Sequence, residues 1–295
     1  MKPAALLDRI PLSRFRQNVI ITGRPGLTAS RAATWLIHCL ARRQATICFE
    51  ASGPRMRLEP HLKAYGSTSL YMKRMEYEPE LKVLADLTRP GDVVLDIGAN
   101  FGVYALTLAN RVLPGGSLHA FEPGTEALFQ LRHNTEVLNP TLPVSVWPIA
   151  LSDASKTMAL YHIGGPVCFS LAGNGDEDSE SVEAFTLDEW VAGQGLRRID
   201  VIKIDVEGHE PKVFAGGLGT LARFRPMIMF EVSTAALERA GSIPLEPFEM
   251  LAGLGYDIHV LREGQLARID TVEDGNLFAL HPEGSRIGEP LKRSS

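Results

Sequence analysis

The chain has 295 residues, 45% hydrophobic and 22% charged, which suits one large globular domain with additions and excludes disorder throughout. Its three cysteines, Cys39, Cys48 and Cys168, form neither a CxxC pair nor a metal-ligand spacing with histidine, and there is no apolar run of about 18 residues, which excludes a zinc module and a membrane span. The net charge of −5 hides an asymmetry: residues 1–45 carry Lys2, Arg9, Arg14, Arg16, Arg24, Arg31, Arg42 and Arg43 against Asp8 alone.

Such an arm suits an anionic membrane, nucleic acid or an acidic partner, and it overlaps in character with organelle transit peptides. It lacks the dense basic run of an electrostatic tether and reads as a solvated helical extension. Its first apolar stretch breaks off too early for a secretory signal, so a cytoplasmic protein with no nucleic-acid partner is expected. From Ser30, SRAATWLIHCLARR puts Ala32, Trp35, Leu36, Cys39 and Leu40 on one face of a predicted helix. TICFEASGPRMRLEP has β-like runs on either side of a Gly-Pro break, which predicts a hairpin. EPELKVLADL predicts a helix with Pro79 in its first turn.

From residue 93 on, the apolar runs VVLDIG, SLHAFEP, VSVWPIAL, VIKIDVEG and PMIMFEVS alternate with helix-like segments. Continuous apolar strands point to a mostly parallel sheet covered on both faces, a doubly wound α/β fold. GNGDEDSES, at 173–181, reads as a mobile acidic loop, and Thr186 and Glu189 are spaced as a capping box opening the helix of Trp190. The organisation expected is a basic helix-plus-hairpin extension at 1–74, a catalytic domain at 75–282 and a tail at 283–295. The sequence shows no internal repeat.

The first chemical motif lies where the 93–97 strand turns into a helix. Gly98 and Gly102 permit a tight turn and close backbone approach to a ligand, with Ala99 and Asn100 between them. A dinucleotide turn would read GxGxxG, but here a glycine is missing and Asp96 stands beside the turn. A carboxylate there is unfavourable next to phosphate and favourable next to a cation, and S-adenosylmethionine carries both an ammonium and a sulfonium. Glu122, followed by Pro123 at the end of the second strand, can accept from both ribose hydroxyls. At the end of the third strand, Ser152 and Asp153 either meet the adenine ring or form an ordinary turn exit.

The second motif is IKIDVEGHEP, which puts Asp205, Glu207, His209 and Glu210 on the same rim. Methyl transfer is an in-line displacement, and a hydroxyl acceptor gains from a general base. His209 titrates nearest neutrality, with Asp205 or Glu207 to orient it, while Asp205 also suits cofactor contact. These acids also suit a divalent metal such as Mg²⁺, and no metal ligand is assigned among them.

Together GDVVLDIGANFGVYAL, HAFEP, IALSD, FTLDEW, RIDVIKIDVEGHEPKVFAGG and RPMIMFEVS resemble the FkbM-type S-adenosylmethionine-dependent methyltransferases, in order from about residue 75 to about 232. The resemblance implies a class I methyltransferase (Rossmann-like) fold with a seven-stranded sheet, its last strands near 255–261 and 276–282, one of them antiparallel. It also implies cofactor contacts at Asp96, Gly98, Asn100 and Glu122, and O-methylation of a small-metabolite, glycan or lipid-like acceptor. Two rivals remain at this point: a non-catalytic docking module on the same fold, and an NAD-dependent oxidoreductase.

Overall fold

The computed structural model describes residues 25–50, 53–60, 65–162, 169–171 and 178–284. Lys2, Arg9, Arg14, Arg16 and Arg24 of the basic arm, Cys168, residues 172–177 of the acidic loop and the tail from 285 on lie outside the described residues. The chain divides into two compact units, one ending at Lys82 and one beginning at Val83.

In the first unit, helix α1 (Pro25–Ala41) precedes strands β1 (Ala45–Cys48) and β2 (Arg55–Leu58) and helix α2 (Tyr65–Lys73). The two strands form the predicted hairpin, antiparallel with Ala45 opposite Leu58. Trp35 anchors α1: its ring stacks on Tyr71 at 4.6 Å and its Nε1 donates to Thr68 Oγ1 at 3.0 Å. Leu40 does not share that buried face and is 59% exposed. It stands five residues from Trp35, roughly 140° around the helix. Helix α3 (Pro79–Leu87) starts at its proline, as the spacing predicts.

The second unit contains β3 (Val93–Ile97), β4 (Ser117–Phe121), β5 (Val144–Trp147), β6 (Ala150–Leu151), β7 (Lys156–His162), β8 (Phe169–Ser170) and β9 (Ser179–Phe185). It continues with β10 (Val201–Ile204), β11 (Met227–Val232), β12 (Asp257–Arg262), β13 (Gln265–Arg268) and β14 (Gly275–Leu280). Its helices are α4 (Val103–Arg111), α5 (Thr125–Arg132), α6 (Leu187–Gln194), α7 (Glu210–Ala215), α8 (Leu218–Phe224), α9 (Thr234–Arg239) and α10 (Leu245–Gly253).

The main sheet runs β13-β12-β14-β11-β10-β3-β4-β5. From β11 to β5 every pairing is parallel, and β14 enters antiparallel between β11 and β12. That order, with β3 and β10 at the centre and the last strand inserted antiparallel between β11 and β12, matches the sheet expected of a class I methyltransferase. It has eight strands rather than the expected seven, because β13 adds a hairpin to the edge. Glu263 and Gly264, both left-handed at φ +50° and +80°, make the two-residue turn that brings Gln265 opposite Arg262.

The sequence also merged two strands. VSVWPIAL breaks at Pro148-Ile149, so β5 stays in the main sheet while β6 joins a second sheet of order β6-β9-β7-β8. Residues 179–181, expected in the acidic loop, begin β9. Thr186 does cap α6, its Oγ1 accepting from Glu189 N at 3.1 Å. The return half of the capping box is relayed: Ser155 Oγ donates to Glu189 and accepts from Thr186 N. Strand β10 is buried along its whole length, as a sheet covered on both faces requires. Under β4 and β5, Trp190 meets Phe121 edge-on at 4.7 Å and Trp147 at 5.3 Å.

Candidate active site

In the β3–β10 pairing, Lys203 lies opposite Asp96 and Ile204 opposite Ile97, so both strands end together and their exit turns meet. Gly98 N and Ala99 N both donate to Phe121 O, at 3.1 and 2.9 Å, which folds the first turn over the end of β4. Gly98 is left-handed at φ +75°, and a Cβ there would sit 1.9 Å from the Asp205 carbonyl oxygen. Glycine is therefore required by close approach of the two turns as well as by its backbone angle. Asn100, at φ +50°, donates its backbone N–H to Glu122 Oε2 at 2.8 Å, and Gly102, at φ +98°, opens α4. The predicted set Asp96, Gly98, Ala99, Asn100, Gly102 and Glu122 is thus gathered at one turn, with Pro123 half-buried beside Glu122.

Asp96 is fully buried, and burial lifts its carboxyl above the usual range against the pull of Lys203. Lys203 Nζ lies 3.4 Å from Asp96 Oδ1, yet among the described residues no hydrogen bond of good geometry reaches either Asp96 oxygen. Glu122 is buried too, and burial raises it to about 7 although Gly124 N and Asn100 N each donate to it at 2.8 Å. Each of its oxygens keeps a further lone pair for a ligand hydroxyl.

Along the second turn, the Asp205 side chain is 41% exposed and Glu207 is half-buried. Glu207 is left-handed at φ +54°, where a glutamate is strained, and such outliers gather at functional sites. Ser170 Oγ donates to Glu207 O at 3.0 Å, bringing the β8 segment onto this turn. Glu210 is buried, with Oε1 accepting from Val206 N at 3.0 Å and Gly208 N at 3.4 Å, and burial raises it to about 7. Beside Asp205, at the end of β11, burial followed by repulsion from Asp205, Glu207 and Glu210 lifts Glu231 to about 8. Among the described residues no group of three or more His, Cys, Asp or Glu side chains is arranged to hold a metal ion.

His209 is buried, and burial lowers it to about 4. Its Nε2 lies 2.8 Å from Ser152 Oγ, and Ser152 Oγ reaches Asp153 Oδ1 at 3.2 Å. A serine that donates to the carboxylate accepts from Nε2–H, which leaves the imidazole lone pair on Nδ1. Asp153 is exposed and pairs with Lys212 at 3.1 Å. Ser152 and Asp153 therefore reach the site from β6, outside the main sheet, Ser152 in contact with His209 and Asp153 with Ser152 and Lys212.

Sequence reasoning missed Lys203 and Glu231. Both carried a signal, since each is a charged residue inside an otherwise apolar run, VIKID and MIMFEV, on a strand buried on both faces.

The family described as Methyltransferase FkbM domain matches residues 96–258, more than half of the chain and the span that holds both turns. The chain belongs to the FkbM methyltransferase family. It is 30% identical over 181 residues to the 2-O-methyltransferase NoeI of Sinorhizobium fredii, covering 56% of this chain and 72% of that one. It is 31% identical over 159 residues to the 31-O-demethyl-FK506 methyltransferase FkbM of Streptomyces tacrolimicus, covering 43% and 60%. The hexuronic acid methyltransferase AglP of Haloferax volcanii is 26% identical over 141 residues, covering 46% and 54%. As an FkbM-family methyltransferase the chain is an enzyme, and the oxidoreductase and docking-module alternatives are not favoured. Among the described residues no helix is long and apolar enough to cross a membrane.

Proposed function

We propose that this FkbM-family enzyme binds S-adenosylmethionine at the turn after β3 and transfers its methyl group to a hydroxyl of a small metabolite, glycan or lipid-like acceptor. The observation that carries the reading is the junction of the two turns. Gly98 packs against Asp205, the buried Asp96 carboxylate lies beneath them, and Glu122 closes the side. This donor set fits the cofactor: an acid-rich rim suits an ammonium and a sulfonium, and Glu122 suits a ribose diol. The backbone from Gly98 to Gly102 would hold the amino acid part, with Pro123 beside the nucleoside. When bound, the cofactor supplies an electrophilic methyl carbon on a positively charged sulfur.

The chain itself positions the acceptor and handles its proton. Asp205 and Glu207, at the open rim, accept hydrogen bonds from acceptor hydroxyls and fix the attacking oxygen. His209 takes the proton at Nδ1, with Ser152 and Asp153 holding the tautomer in the manner of an orienting hydrogen-bond chain. A ring lowered to about 4 is neutral at physiological pH, with its lone pair open and its basicity below that of a free imidazole. The relatives' names support an oxygen acceptor and vary in the molecule, from the 2-O-methyltransferase NoeI to the 31-O-demethyl-FK506 methyltransferase. The test is transfer from methyl-labelled S-adenosylmethionine to a panel of glycan, macrolide-type and lipid-linked hydroxyls, with amine acceptors run alongside. Label on an acceptor oxygen with matching S-adenosylhomocysteine supports the reading, and label confined to nitrogen acceptors refutes it.

A further inference from the structure

We propose that Lys203 is the positioning residue of the cofactor turn, its buried ammonium tying the Gly98 carbonyl to Asp96 and Asp205 and supplying the counter-charge that Asp96 needs to receive a cationic ligand. The inference rests on the cofactor reading above and adds a residue to it.

Lys203 is 2% exposed in the middle of the sheet, directly across from Asp96. Removing an ammonium from water costs several kcal/mol unless it is paired and its hydrogens are used. Here its three hydrogens have three directions to go. Nζ lies 2.7 Å from Gly98 O, 3.4 Å from Asp96 Oδ1 and 3.7 Å from Asp205 Oδ2, and 5.2 Å from the Tyr104 ring centroid. These partners belong to the end of β3, the first turn, the second turn and the helix that follows the first. A lysine serving only the core would need one acid. This one joins the carbonyl of the residue pressed against Asp205 to both carboxylates at the strand ends.

The groups facing Lys203 are Asp96 from β3, Glu122 from β4, Asp205 at the end of β10, Glu231 from β11 and the Tyr104 ring of α4. Lys203 draws Asp96, Glu122 and Glu231 downward against the lift of burial. Without it, the buried Asp96 carboxyl rises further, so the acid holds its proton over a wider range of pH, and a protonated acid offers no charge to the ligand's ammonium. Binding then shifts toward higher pH.

The experiment is calorimetric titration with S-adenosylhomocysteine across about pH 6 to 9, on the wild type, Lys203→Gln, Asp96→Asn and the double variant. Glutamine keeps a donor for Gly98 O and removes the charge. In Lys203→Gln the pH profile of binding moves at least one unit alkaline, so affinity near pH 7 falls about tenfold or more and recovers at high pH. Asp96→Asn binds weakly with a flattened profile, and adding Lys203→Gln moves that profile no further. A uniform loss at every pH, or an unchanged profile, overturns the inference while leaving the cofactor reading intact. A wild type that does not bind S-adenosylhomocysteine overturns both. If Lys203→Gln alone does not fold, the double variant is compared with Asp96→Asn: equal affinity across the pH range supports a role exerted through Asp96, and a further loss at every pH overturns it.

Discussion

Replacing Gly98 by alanine tests the junction of the two turns in isolation from catalysis. The new Cβ would stand 1.9 Å from Asp205 O and 3.0 Å from the Asp205 carbonyl carbon, both backbone atoms that no rotamer change can move. An ordinary carbon–oxygen contact needs about 3.3 Å, so the turns must part by roughly 1.4 Å. That shift strains the bonds from Gly98 N and Ala99 N to Phe121 O, each worth about 1 kcal/mol. The left-handed backbone at φ +75° adds about 1–2 kcal/mol for any residue with a Cβ. The total is about 3–4 kcal/mol. Gly91 provides the control, because it is left-handed at φ +87° with nothing within 4 Å of its Cβ position, so alanine there costs only the conformational 1–2 kcal/mol, roughly. Urea unfolding of both variants, with unchanged m-values, gives the comparison. Equal destabilisation of the two would refute the close approach, and so would an unaltered affinity of Gly98→Ala for S-adenosylhomocysteine.

Catalysis through His209 has a pH signature: since burial holds the ring at about 4, the acid limb of kcat should fall near pH 4, and a limb near the free-imidazole value would reject the assignment. His209→Ala should lower turnover by about 10²–10⁴-fold with cofactor affinity nearly unchanged. Glu207→Gly relieves the strained φ of +54°, so thermal unfolding should show a gain of about 0.5–1 kcal/mol together with a loss of turnover, whereas equal or lower stability would deny the strain. Glu231 keeps its proton to about pH 8 in the folded chain but ionises near the ordinary 4.5 when unfolded, so the native state holds the extra proton between those values and stability falls as pH rises through them. Glu231→Gln should flatten that decline, as read by urea midpoints across the window, and an unchanged slope would place the titration elsewhere.

The main sheet was legible because its strands are continuous apolar runs separated by helical spacing, and burial on both faces leaves no other reading for VIKI or VVLDI. The strand ends were legible for the same reason, which is why Asp96, Gly98, Glu122 and Asp205 fell on one rim without coordinates. What was hidden depends on where the chain goes after it leaves the sheet. A single break at Pro148-Ile149 sends Ala150 and Leu151 to another sheet, and that redirection is what brings Ser152 to His209 across 57 residues. The turn Glu263-Gly264 lacks the Asn-Gly signature, so β13 was invisible. Lys203 and Glu231 each stand out as a charge within an apolar strand, but their partners went unread because those depend on the neighbours across the sheet. Leu40 shows the converse limit, since helical spacing groups residues by angle but does not say how wide the buried stripe is.

The central claim is that the acid-lined turn after β3 takes S-adenosylmethionine, and thermal unfolding with S-adenosylhomocysteine and, separately, with NAD tests it most directly. At about a hundred times the dissociation constant a bound ligand adds roughly 2.7 kcal/mol, a rise of about 5–10 °C for a unit of this size. The account predicts that rise with S-adenosylhomocysteine, its loss in Gly98→Ala, and no shift with NAD. A rise with NAD, or no rise with S-adenosylhomocysteine, would contradict it.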